Sequence, residues 1–181
     1  VGDVLVAQGQ LPDALKAYKD SQTIFDKLAK ADPGALGLHG SAMTSGWQRD
    51  LSVSYIKVGD VLVAQGQLPD ALKAYKDSQT IFDKLAKADP GALGLHGSAM
   101  TSGWQRDLSV SYIKVGDVLV AQGQLPDALK AFKDSLAIAD KLAAADPGNA
   151  GWQRDLSVSY DRVGDVLVAQ GNLPDALKAY R

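Results

Sequence analysis

The chain has 181 residues, a formal net charge of −2, 46% hydrophobic residues and no cysteine, which excludes disulfides, thiolate nucleophiles and cysteine-based zinc sites. Charges of both signs are interspersed, so no basic footprint points to nucleic acid, and no apolar run approaches the ~18 residues of a membrane span. A cytoplasmic protein with no membrane contact is expected; the chain starts at Val1 and not at methionine, which leaves a targeting segment upstream open.

Repetition dominates the rest. Residues 1–57 recur letter for letter as 58–114, a shorter third copy spans 115–162, and a partial fourth runs over 163–181. Self-similarity at a fixed spacing of this size marks a stacked-repeat solenoid, so 1–181 is read as a single tandem array. Val1 falls midway along a first helix. Predicted helices follow over 12–31, 47–65, 69–88, 104–122, 126–145 and 152–170, and Arg181 falls midway along another. The unit over 47–90 shows the logic. Ser45 and Gln48 have the spacing of a capping box before a helix start. Leu51, Tyr55, Val58 and Leu62 then recur at three- and four-residue intervals, which is one helix face. Gly66 suits the left-handed turn that closes a helix, and Pro69 suits the first turn of the next. In the second helix Ala71, Tyr75, Ser78, Phe82 and Leu85 share a face, opposite Asp70, Lys73, Lys76, Asp77, Lys84 and Lys87. Asp89-Pro90-Gly91 stops it. Strand signals are absent, and the expected fold is all-α.

These units resemble the tetratricopeptide repeat, through Val58-Gly59, Gly66, Ala71 and Tyr75, again through Val115-Gly116, Gly123, Ala128 and Phe132, and again through Val163-Gly164, Gly171, Ala176 and Tyr180. The resemblance implies a right-handed α-solenoid of stacked antiparallel helix pairs. In it the small residues let the two helices of a hairpin approach, and the aromatic fills the space between units. The third unit is 48 residues long, against the 34 of the family's usual unit, so this is a long-helix variant.

The resemblance also implies a concave face built from first helices. Carried onto this sequence, that face presents Val53, Ile56, Asp60 and Val63, then Val110, Ile113, Asp117 and Val120, then Val158, Asp161, Asp165 and Val168. Such a surface suits a peptide with apolar side chains and some positive charge. The Lys and Asn positions by which one subset of the family clamps a C-terminal carboxylate are missing. A second reading stands beside this one: neighbouring helices cover the Val and Ile side chains, and the Asp residues are solvated or paired with Lys57, Lys114 and Arg162.

The first two copies insert 35–45 and 92–102, reading A-L-G-L-H-G-S-A-M-T-S, where the third has only Gly148-Asn149-Ala150-Gly151. Connections this long are usually functional or disordered. Leu36, Leu38, His39 and Met43, with Leu93, Leu95, His96 and Met100, are read either as a linker folding over helix ends or as a partner-binding loop. His39 and His96 are the only histidines, and without Cys, Asp or Glu beside them they make no zinc site. No phosphate-binding glycine pattern, acid pair or nucleophile elbow is present, so no catalytic residue, metal or cofactor is expected. Trp47, Trp104 and Trp152 open the first helices, read as packing against the preceding unit or as exposed anchors.

Identity over 57 residues implies very recent duplication, gene conversion or deliberate design, since many sequences satisfy the same packing. Identical neighbours also bring domain swapping close in energy to the intended fold. The expected function is a non-enzymatic scaffold for a protein or peptide partner. The alternative is a self-assembling array, a homo-oligomer or fibre joined through helical ends and loops.

Overall fold

Eight helices account for nearly all of the described chain: α1 (Gly2–Ala7), α2 (Leu11–Lys30), α3 (Gly40–Ala64), α4 (Leu68–Lys87), α5 (Gly97–Ala121), α6 (Leu125–Ala145), α7 (Ala150–Ala169) and α8 (Leu173–Ala179). The structure, a computed structural model, describes residues 1–30, 40–87 and 97–180, with side chains from Ser45 in α3 and from Ser102 in α5. No strand occurs among the described residues. The fold is all-α, a series of stacked antiparallel helix pairs, as the repeat pattern predicts. Packing divides the chain into two compact units, Val1–Trp104 and Gln105–Arg181.

Each hairpin is built by the same local chemistry. Gly66 has φ of 74°, Gln67 N–H donates to the Leu62 carbonyl at 2.8 Å, and Gly66 N–H donates to the Val63 carbonyl at 2.9 Å. This pair of bonds closes a helix through a left-handed residue that glycine occupies without steric cost. It recurs at Gly9, Gly123 and Gly171. One step later a proline sits in the first turn of the second helix, where no N–H partner is needed.

In the first unit α1 packs on α2, α2 on α3 and α3 on α4. The predicted inner face of α4 is the observed one: Ala71, Tyr75, Ser78, Phe82 and Leu85 are all buried, with Phe82 only 1% exposed. In the second unit α6 carries Ala128, Phe132, Ser135, Ala139 and Leu142 inward. Buried serines run between the helices as polar seams. The Ser52 hydroxyl donates to the Ser78 carbonyl at 2.8 Å. The hydroxyls of Ser109 and Ser135 lie 2.8 Å apart, and those of Ser135 and Ser159 lie 3.4 Å apart. Every such buried group must be paired to avoid a desolvation cost of ~1–3 kcal/mol, and among the described residues no buried side-chain polar atom lacks a partner.

Two expectations are corrected. α3 and α5 begin at Gly40 and Gly97, seven residues before Trp47 and Trp104. The stretch G-S-A-M-T-S contains no proline and includes good helix formers, so nothing stops the helix there. The second correction follows: Ser45 is no cap but a buried residue inside α3, and the insertions expected over 35–45 and 92–102 are helical from Gly40 and Gly97 onward. Only in α7 is the start near the tryptophan, where the Asn149 side chain accepts from Trp152 N–H at 3.2 Å. The aromatic position has a further contact besides the one the resemblance implies. Tyr18, Tyr75, Phe132 and Tyr180 lie on the glycine of their own hairpin, Gly2, Gly59, Gly116 and Gly164, so tightly that an added Cβ would fall 2.4–2.5 Å from a ring carbon.

Candidate functional site

The surface of the first helices carries the residues with unspent chemistry. Val63, Val120 and Val168 are 40%, 39% and 46% exposed, and Val110 and Val158 are close behind. Val53, Ile56 and Ile113 are half-buried. The face is thus partly covered and partly open, between the two readings offered by the sequence. Asp161 is exposed, and it stands where the two earlier copies have Ile56 and Ile113.

A carboxylate on each first helix meets an aromatic residue fifteen positions later. Tyr18 donates to Asp3 Oδ1 at 2.7 Å, Tyr75 to Asp60 Oδ1 at 2.6 Å, and Tyr180 to Asp165 Oδ1 at 2.7 Å. Asp117 faces Phe132, which has no hydroxyl to give. Cations from the next first helix complete the pattern within each unit. Lys57 Nζ donates to Asp3 Oδ1 at 2.7 Å, and Arg162 Nε lies 3.6 Å from Asp117 Oδ1. The Lys57 ammonium, then the Tyr18 hydroxyl, hold the Asp3 carboxyl below its ordinary value. Burial pushes the Asp117 carboxyl up, with Arg162 and Lys114 opposing.

Among the described residues a cleft opens along this face in each unit. The α1–α3 cleft, about 140 Å³, is lined by Asp3, Val6 and Tyr18 on one side and by Lys57, Asp60, Val61 and Ala64 on the other. The α5–α7 cleft, about 190 Å³, is lined by Asp117, Val120 and Phe132, opposite Arg162, Asp165, Val166 and Ala169. The two linings are equivalent position by position in the repeat. Across the second unit Arg106 also pairs bidentately with Asp155, its Nη2 at 3.2 Å from Oδ1.

Of the predicted site residues, Asp60, Asp117, Val120 and Asp165 line these clefts. Val53, Ile56, Val63, Val110, Ile113, Val158, Asp161 and Val168 lie on the same helices outside the linings. Leu36, Leu38, His39, Leu93, Leu95 and His96 lie outside the described residues. Met43 and Met100 fall within the backbone of α3 and α5. Trp104 is buried, and Trp47 and Trp152 are half-buried, so none is a free anchor. The sequence reading missed the tyrosine hydroxyls as partners of the carboxylates. Their signal was present, since an aromatic residue follows each of these aspartates at the same interval. No group of His, Cys, Asp or Glu among the described residues is arranged to hold a metal ion, and no described helix is long and apolar enough to cross a membrane.

No family model matches the sequence, and a comparison with curated proteins finds no match. Among solved structures, the chain is similar to two crystal structures of MamA, each with a TM-score of 0.47 and 15% identity. The alignments cover 99% of this chain and 90% or 84% of those chains. It is also similar to BtubC from P. vanneervenii, with a TM-score of 0.36 and 17% identity over 98% of this chain and 73% of that one. Likenesses at this level bear on neither the site nor a partner.

Proposed function

We propose that the chain is a non-enzymatic interaction scaffold that binds a peptide or protein segment along its first helices. The observation that supports this is the repeated face itself: exposed valines on α3, α5 and α7, interrupted by two equivalent clefts with charged mouths. Apolar side chains of an incoming segment would cover the valines, while polar groups along it meet the carboxylate and cation pairs. The pairing of Asp3 with Lys57 and of Asp117 with Arg162 fits the reading in which carboxylates of this face are paired with nearby cations. The segment therefore needs fewer positive charges than the count of aspartates suggests.

Selection from a random peptide library against the full chain tests this reading. Val110→Glu, Val120→Glu and Val158→Glu together place three charges on an exposed part of the face and should abolish binding of the selected peptides with helicity intact. Undiminished binding to that variant would remove the face from consideration.

Homo-oligomerisation is the second reading, favoured by Leu173 and Leu177 on α8, 61% and 52% exposed. Light scattering across a hundredfold concentration range separates the two. A mass constant at 19.0 kDa supports the scaffold, and a mass that climbs with concentration supports assembly.

A further inference from the structure

The two clefts are copies, yet two of their lining positions differ: Tyr18 is exchanged for Phe132 and Lys57 for Arg162. Both exchanges act on the same carboxylate position. In the α1–α3 cleft a single oxygen of Asp3 accepts from the Tyr18 hydroxyl and from the Lys57 ammonium, each at 2.7 Å, so the group is already served. In the α5–α7 cleft the hydroxyl is gone, and Arg162 Nε stands 3.6 Å from Asp117 Oδ1, beyond the 2.7–3.2 Å of an N–H···O hydrogen bond. Burial disfavours the charge that Asp117 carries there. Asp3 thus already accepts two hydrogen bonds within its cleft, whereas Asp117 has no hydroxyl partner at the matching position and its guanidinium stands farther off.

Shape and charge select the ligand group. Two carboxylates, Asp117 and Asp165, line the mouth with the Arg162 guanidinium, and the Lys114 ammonium acts on Asp117 as well. Asp165 is held by the Tyr180 hydroxyl. The remaining walls, Val120, Phe132, Val166 and Ala169, are apolar. A cavity of ~150 Å³ is large enough for benzene, so the 190 Å³ here admits an unbranched aliphatic stem. Lysine joins such a stem to a compact ammonium with three donors.

We propose that the α5–α7 cleft is an anchor pocket for a lysine side chain of the bound segment, its ammonium donating to Asp117 and its stem lying against the apolar walls. The proposal rests on the reading of the first-helix face as a binding surface. It adds that the copies along the array are not equivalent, and that the pair Phe132 and Arg162 opens this one.

The test titrates N-acetyl-lysine-N-methylamide into the full isotopically labelled chain, with N-acetyl-norleucine-N-methylamide as the uncharged counterpart. Magnetic resonance reads the Arg162 side-chain N–H, assigned through Arg162→Lys, and the α7 amides. A fragment of this size should bind on the order of millimolar. The lysine probe should shift these resonances saturably, and the norleucine probe should not. Phe132→Tyr, which restores the residue found at the other three copies, should weaken binding at least ~10-fold by giving Asp117 a hydroxyl partner. Asp117→Asn should do the same. Conversely, Tyr18→Phe combined with Lys57→Arg should create matching shifts in α1 and α3. Equal response to both probes, indifference to Phe132→Tyr, or an equal response of the α1–α3 cleft in the native chain would overturn the proposal. Library peptides that need Val110 but show no lysine preference would defeat the anchor pocket and leave the binding face standing. A lysine probe bound at Asp117, with no peptide ever selected, would do the reverse.

Discussion

Two glycines in the same kind of helix should respond oppositely to one methyl group. Gly116 lies under Phe132, where a Cβ would come within 2.4 Å of the ring, whereas Gly46 faces open space. Alanine gains up to ~1 kcal/mol of helix propensity at either site, but overpacking costs ~1–3 kcal/mol. Gly116→Ala should therefore destabilise by about 1–2 kcal/mol, and Gly46→Ala should stabilise by about 0.5–1 kcal/mol. Urea unfolding of the two variants checks both signs. The phenols give a second expectation. Tyr18 is pushed up to about 12 by burial and then by its bond to Asp3, and Tyr180 to about 12 chiefly by its bond to Asp165. Between an unfolded value of ~10 and the folded one, the folded state binds the extra proton. The stabilising contribution is therefore complete below pH ~10 and disappears as pH climbs through the folded value. Tyrosinate absorbance should show a late-ionising class among the six tyrosines, and Tyr18→Phe with Tyr180→Phe should shrink it without deleting it, because burial also pushes the Tyr55 phenol up. One uniform ionisation near the ordinary value would contradict the bonds.

Helix ends divide into those the sequence announces and those it does not. Gly66, Gly123 and Pro69 stood out because glycine and proline act through the backbone itself, whatever surrounds them. Gly66→Ala forces a left-handed alanine, and it should cost roughly 1–2 kcal/mol in thermal or urea melts. A neutral result would mean that the turn relaxes. The starts of α3 and α5 were not legible. Trp47 and Ser45 look like a beginning, but no residue from Gly40 to Gly46 forbids helix, and a continuing ladder of hydrogen bonds is favoured once a helix has nucleated. The seams between helices were equally hidden. Ser78 was readable as an inward-facing residue by its spacing, whereas its bond with Ser52 depends on how two helices are set against each other.

For the molecule as a whole, the repeat made the architecture legible before any element was placed, since a period is a statement about every copy at once. The clefts were only half legible. Asp60, Asp117 and Asp165 could be put on one face by helical spacing, but that Lys57 and Arg162 reach back to carboxylates of the preceding hairpin needs the observed approach of successive first helices. Stability should follow the same nearest-neighbour rule, in which each repeat draws on its own packing and that of its neighbours. Phe82→Ala empties a site that is 1% exposed and should cost ~3–5 kcal/mol. Hydrogen exchange should then show protection lost chiefly within 1–104, with α7 and α8 close to native. Equal loss at both ends would show an all-or-none array.

The ring that lies on glycine has a further meaning. Packing in each hairpin needs only a flat hexagon, which tyrosine and phenylalanine supply alike, as Phe132 and Tyr75 demonstrate on Gly116 and Gly59. The phenolic oxygen is then not needed for that ring packing, and it is present or absent at a position that recurs along the chain. Exchanging the two residues changes what the aspartate fifteen positions earlier can accept, while the packing of ring on glycine stays as it was.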